Sequence, residues 1–252
     1  MFAQLYETFS ALEAPGFWQK TYLDFYGAWF EADRWKQYFQ GLGTTIEVTV
    51  VALIIGVILG VVVAVLRTAH DQQRPGRHNP VLGLINVMCK VYVTVIRGTP
   101  MMVQLLIMGL VIFSANRNKT LIGALSLGIN SGAYVAEIIR GGLMSLDPGQ
   151  MEAGRSLGLN YFDTMRFIVV PQAFKAILPS LGNEFITLLK DTSLISVVGG
   201  KEIVYFAQAI ITRTYEPMMP YFITAVMYLI MVLIFTWLQG KLERRLRQSD
   251  RR

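Results

Sequence analysis

A chain of 252 residues that is 53% hydrophobic and only 16% charged does not have the makeup of a soluble domain, because its apolar residues gather in long runs. Its formal charge of +6 gives no case for nucleic acid as a partner, since the basic residues stand beside the apolar runs, where membrane topology accounts for them. The single cysteine, Cys89, excludes an intrachain disulfide and a cysteine metal cluster, and its apolar neighbours read it as a small buried hydrophobe.

Residues 1–43 carry Glu7, Glu13, Asp24, Glu31 and Asp33 and lack the basic-then-apolar order of a cleavable secretory signal. They also hold Phe17, Trp18, Tyr22, Phe25, Tyr26, Trp29, Phe30, Trp35, Tyr38 and Phe39. Such rings settle between headgroups and water, so the segment reads as an interfacial preamble, with a small helical unit packed on the rest of the chain as the alternative. Residues 48–66 are uncharged and long enough to cross a hydrocarbon core of about 30 Å, where backbone groups demand a helix. A polar loop with Arg67, His70, Arg74, Pro75 and Arg77 follows. The next apolar stretch, residues 81–114, is interrupted by Arg97-Gly98-Thr99-Pro100, and further spans cover residues 121–139, 176–198 and 220–238. The expectation is an all-α integral membrane protein with five spans and its termini on opposite sides.

Basic residues orient it, because Lys and Arg are retained in the cytoplasm. Arg67, Arg74 and Arg77, then Arg140, Arg155, Arg166 and Lys175, then the six basic residues after Gly240 share one side, thirteen in all. The other side has seven: Lys20, Arg34, Lys36, Arg117, Lys119, Lys201 and Arg213. The N-terminus is therefore expected outside and the C-terminus in the cytoplasm. The chain divides into a preamble (1–43), a membrane domain (44–240) and a basic cytoplasmic tail (241–252) that closes the last span and can touch anionic lipid.

This orientation puts residues 147–171 inside. Asp147 can cap a helix there and Pro148 suits its first position, giving a short helix over about residues 148–159 with Leu157-Gly158 as its stop. Ala153, Gly154 and Gly158 permit close backbone approach, Glu152 offers a charged anchor, and Gly154 costs about 1 kcal/mol of helix propensity relative to Ala. A short helix between two spans can fit a groove on a soluble partner; an ordinary amphipathic loop helix is the plainer reading.

The run Glu152-Ala153-Gly154, then Gly158, then Ile168-Val169-Val170-Pro171 resembles the cytoplasmic signature of permease subunits in bacterial ATP-binding-cassette (ABC) importers, with Gly154 for the second Ala and Val170 for Leu. Further blocks resemble the polar amino acid branch of that family: Ile96-Arg97-Gly98-Thr99-Pro100 with Val103-Gln104, Ser131-Gly132-Ala133-Tyr134-Val135-Ala136-Glu137 with Arg140-Gly141-Gly142, Gly149-Gln150, Thr164-Met165-Arg166, Pro171-Gln172-Ala173 and Leu188-Leu189-Lys190-Asp191-Thr192-Ser193-Leu194. The resemblance covers residues 41–246. It implies a type I importer permease fold and ATPase coupling through Asp147, Glu152, Ala153, Gly154, Arg155, Leu157, Gly158 and Pro171. It also implies as partners two ATPase subunits, an extracytoplasmic solute-binding protein and a second permease chain, in a homodimer or heterodimer. No Gly-x-x-x-x-Gly-Lys-Ser/Thr loop is present, since Gly199-Gly200-Lys201 continues into Glu202. No cofactor is expected in this chain, then, and ATP and Mg belong to the partner ATPase.

Ionisable groups at membrane depth are costly and usually face protein or water; here they are Lys90, Arg97, Glu137, Glu184, Lys190 and Asp191. Lys90 reads as a snorkelling side chain. Arg97 reads either as the partner of the carbonyls freed at the Gly-Thr-Pro break or as a group beside the translocation path. A zwitterionic amino acid needs acceptors for its ammonium group, which Glu184 or Glu137 can supply, and donors for its carboxylate, which Asn183, Thr187 or backbone loosened around Pro179 and Gly182 can supply. Ion pairs that hold the bundle are the alternative for both carboxylates, and Glu184 is the stronger candidate. Lys190, Asp191, Thr192 and Ser193 read as a helix end or gate. A passive channel or scaffold is the rival function. An intramembrane hydrolase is a distant third: both histidines, His70 and His78, lie in a polar loop and no His-Glu-x-x-His or Gly-x-Ser-x-Gly occurs, which leaves only Ser193 with Lys190.

Overall fold

A computed structural model of the chain describes residues 1–12, 14–73 and 79–249, with side chains through residue 246. Glu13, the loop residues Arg74, Pro75, Arg77 and His78, and the terminal Arg251 and Arg252 lie outside the described residues. The described residues form helices joined by short turns, with no strand among them.

Two short helices, α1 (Phe2–Ser10) and α2 (Phe17–Trp29), come first. They zip together through stacked rings, Tyr6 on Tyr26 at 4.5 Å and Phe2 on Phe30 at 5.5 Å, and α2 packs on the last helix and on the start of the third. Ala32 and Asp33 turn the chain in the left-handed region. Arg34 secures that turn, bonding the Glu31 carboxylate at 2.9 Å and the Gly27 carbonyl. Helix α3 (Arg34–Asp71) then runs 38 residues without interruption, about 57 Å at the usual rise, so it overshoots a hydrocarbon core and passes straight through residue 43.

The second apolar stretch divides as its sequence requires. Asn79 caps α4 (Pro80–Gly98), its Oδ1 accepting the Val81 amide at 3.0 Å. Thr99, held extended by the proline that follows, ends α4. Pro100 opens α5 (Met101–Leu106), which widens into a π-type segment, Ile107–Ile112. The carbonyls freed at this break are met by Gln104, whose Nε2 donates to Ile96 O at 2.7 Å and Thr99 O at 3.1 Å. The break is thus repaired by Gln104 rather than by Arg97.

Helix α6 (Lys119–Met144) is the most buried of the long apolar helices, and its seam with α3 is the most extensive in the molecule. Glycines four apart on each helix make that seam: a Cβ on Gly60 would stand 2.5 Å from Val135 Cγ1, and one on Gly132 would stand 2.8 Å from Leu59 Cβ. Beyond it come α7 (Gly149–Ser156), α8 (Tyr161–Thr164), a π-type turn (Met165–Val169), α9 (Val170–Asp191) and a 3-10 segment (Thr192–Val198). Helices α10 (Ile203–Thr214) and α11 (Met218–Ser249) complete the chain.

Among the described residues, four helices are long and apolar enough to cross a membrane. A fifth span arises if Tyr161–Val198 and Ile203–Thr214, bent by 44°, count as one. Two local expectations change. Helix α9 does not loosen at Pro179 and Gly182 but runs on from Val170 to Asp191, with Gln239 of α11 packed against Gly182 and donating to Pro179 O at 3.2 Å. Residues 203–214, absent from the expected spans, form a helix capped by Glu202. Cys89 is buried with Val63, Val93, Ala133 and Ala136, as its neighbours suggested.

Gly60→Ala should destabilise the protein by about 1–3 kcal/mol through overpacking against Val135, whereas Gly43→Ala, with nothing within 4 Å of its added methyl, should be neutral or slightly stabilising. Thermal unfolding of the two purified variants in the same detergent measures the difference.

Candidate functional site

Two regions collect functional side chains. The first is the loop between α6 and α9. The Asp147 carboxylate accepts the Gly149 amide at 2.8 Å, and Gly158, at φ +79, ends α7 in the left-handed conformation that glycine adopts without strain. The Gly158 amide reaches Arg155 O at 2.9 Å and the Leu159 amide reaches Gly154 O at 3.1 Å, which closes the carbonyls of the last turn. Asn160 caps α8 by accepting the Asp163 amide at 2.9 Å. Gln172 at the start of α9 bonds Gln150 at the start of α7 at 2.9 Å, pinning the loop's two ends together. The helix widens at residues 165–169, just before Pro171, which has no N–H to give the preceding turn.

Of the coupling residues expected here, Asp147, Glu152, Ala153, Arg155, Leu157, Gly158 and Pro171 are exposed. Gly154 is not. It is buried against α8, where an added Cβ would lie 2.5 Å from Thr164 Cγ2, so its small size serves packing inside the loop. Phe162 and Phe167, 66% and 65% exposed, add aromatic surface to the same loop, which their positions outside any helical period gave no reason to single out.

The second region is a polar seam along α6. Asn130 Nδ2 donates to Gln104 Oε1 at 3.0 Å, and the Arg97 guanidinium lies over the Tyr134 ring at 5.3 Å. Around Glu137 three arginines converge: Arg67 of α3 pairs with Oε1, Arg140 of α6 with Oε2 at 3.0 Å, and Arg97 of α4 approaches Oε2 at 3.7 Å. Glu184 differs. It lies on α9, its Oε1 accepts the Ser131 hydroxyl at 2.7 Å, and no ion pair to it occurs among the described residues.

Asn183, Thr187 and Lys190 follow one another on an exposed face of α9 beside Glu184. Asn183 Oδ1 accepts from Gln239 at 2.9 Å, and the Thr187 hydroxyl donates to Asn183 O at 3.1 Å. Lys190 and Asp191 close α9, and Thr192 and Ser193 open the 3-10 segment, their hydroxyls donating to Leu189 O and Lys190 O at 2.7 and 2.8 Å.

Glu202 is a polar centre that reasoning from the sequence missed. It is fully buried, its carboxylate accepts the Val204 and Tyr205 amides at 2.8 Å each, and the Tyr228 hydroxyl donates to it at 2.8 Å. The available signal was an acidic residue immediately before the apolar run 203–212, an N-cap pattern.

The chain is 36% identical over 168 residues to the glutamine transport system permease protein of Escherichia coli K12, covering 65% of this chain and 77% of that protein. It is 36% identical over 187 residues to the arginine transport system permease protein of Bacillus subtilis 168, covering 68% and 84%. A solved structure described as an amino acid ABC transporter with histidines superposes with a TM-score of 0.75 at 40% identity, over 83% of this chain and 94% of that one.

Replacing Gly154 by Ala, the residue of the family signature, should weaken the loop here because of Thr164. Gly154→Ala is expected to lower the melting temperature of the purified protein, and adding Thr164→Ala should recover much of it. A double-mutant cycle on thermal unfolding measures the interaction between the two positions. Residues 83–248 match the family of inner membrane components of binding-protein-dependent transport systems, and the chain belongs to that family, the permease subunits of ABC importers, with their all-α fold.

Proposed function

We propose that this permease subunit translocates a polar amino acid of the glutamine or arginine class. In this reading it is driven by two copies of a separate ATPase that grip residues 147–171, and it is supplied from outside by a solute-binding protein. The observation that carries the coupling half is the α7 loop: a capped, pinned helix between two spans that presents Glu152, Ala153, Arg155 and Leu157 outward. A rigid helix of this kind passes the movement of a partner to the spans as a rigid-body displacement. ATP and Mg sit on that partner, and this chain performs no bond chemistry. The basic count favours an outside N-terminus, with residues 1–43 as a preamble outside the membrane domain 44–240.

The substrate half rests on names and on charge. Relatives are named for glutamine and arginine transport. Inside the bundle, the Glu137 charge is engaged by arginines, whereas Glu184 has a serine as partner and the exposed Asn183, Thr187 and Lys190 beside it. An exposed polar stripe on a membrane helix calls for a water-filled path or a second chain, so a second permease chain across α9 suits this reading. Glu184 is then the acceptor for the ammonium group, with Asn183 and Thr187 for the carboxylate, and Lys190, Asp191, Thr192 and Ser193 at the end of the path.

In vesicles holding the permease, its ATPase and the binding protein, Glu152→Lys should abolish most energised uptake while the chain still inserts; unaffected uptake would return residues 147–171 to an ordinary loop and favour a passive channel. Glu184→Gln should change which amino acid stimulates ATPase activity. An unchanged preference removes Glu184 from the path.

A further inference from the structure

The three arginines at Glu137 exceed what one carboxylate can satisfy. Arg67, Arg97 and Arg140 come from three different helices and share two oxygens, leaving a surplus of two positive charges at that carboxylate. Other charged groups nearby do little to offset it. Asp71 is close enough to be felt by Arg140, but it is 62% exposed and its contact is with His70 at 3.3 Å.

The donors themselves are under-used. Arg67 Nε is buried with no acceptor among the described residues. Arg140 Nη1 rests on the Met144 thioether at 3.0 Å, a weak acceptor for a guanidinium. Arg97 stands 3.7 Å from Glu137, beyond hydrogen-bond distance, and is aligned by the Tyr134 ring beneath it. Arg97 and Arg140 are also the accessible members, with side chains 43% and 36% exposed against 14% for Arg67. Guanidinium forks match planar or tetrahedral oxyanions and bind them through paired, charge-assisted bonds.

We propose that Arg97, Arg140 and Arg67 form an oxyanion site on the α3–α4–α6 seam, with Glu137 as the internal counter-charge that holds the guanidinium groups in place and keeps the site's net charge low enough to release its ligand. A carboxylate and a phosphate share the required chemistry. The first would come from the α-carboxylate of the transported amino acid as it leaves Glu184, the second from an anionic phospholipid. Only the first source rests on the importer reading, and binding-protein-stimulated ATPase activity of the same preparation tests that reading separately.

The test uses the permease bound to its ATPase, purified without the binding protein. It is titrated with L-glutamine and L-arginine and with the carboxyl-reduced alcohols of both, and in parallel placed in nanodiscs of phosphatidylcholine with or without phosphatidylglycerol. Melting temperature is read throughout. Stabilisation by the amino acids but not the alcohols identifies the substrate carboxylate; stabilisation by phosphatidylglycerol identifies the lipid phosphate. In either case Arg97→Gln should raise the half-saturating concentration about tenfold or more, with Arg97→Lys retaining part of the response. Arg140→Gln serves the same purpose if Arg97→Gln does not yield monodisperse protein. A wild type that answers to neither anion, or a preference that persists unchanged in these Gln variants, overturns the site.

Discussion

Backbone proximity between α3 and α6 is the constraint on which the rest of the molecule depends. Lipid offers no hydrophobic drive for two apolar helices to associate, so close packing has to supply it. Gly56 and Gly60 on one helix and Gly128 and Gly132 on the other let Ser131, Val135, Ile55 and Leu59 reach the opposing backbone. Because α3 and α6 meet so closely, Arg67 can cross to Glu137, and α4 and α9 find grooves on either side in which Tyr92 bonds Ile129 O and Ser131 bonds Glu184. Larger residues at those glycines would part the helices and separate the polar groups that the seam brings together.

The placement of polar groups follows from the cost of leaving them unpaired in a low-dielectric interior. Gln104 repairs the break at Thr99-Pro100, and Glu202 caps α10 from a fully buried position. These side chains have local debts to meet. Glu184 and the arginines around Glu137 carry charge in excess of any such debt, and the proposals for a ligand path rest on that excess.

The loop between α6 and α9 obeys a different rule, since its surface is exposed and its stability is local. Caps at Asp147 and Asn160, the left-handed Gly158 and the Gln150–Gln172 bond fix its shape without a core of its own. The helix was legible because capping residues and a terminal glycine act over a few positions. The role of Gly154 was not, because Thr164 lies ten positions away and meets it only once α7 and α8 fold against each other.

Composition and short-range chemistry by themselves determined the membrane class, the position of the apolar runs, the break after Arg97 and the short helix that starts near Asp147, since each depends on residues within one or two turns. Only tertiary structure decided which charges pair. Arg67 reads as a loop residue and Glu137 reads either as a substrate acceptor or as part of an ion pair; the fold supplies the partner, 70 positions away. Arg97 reads either as a repair for its own break or as a group beside the translocation path; in the fold it faces α6 while Gln104 makes the repair. A charge is satisfied by whatever stands within a few ångströms in space, and sequence distance holds no record of that.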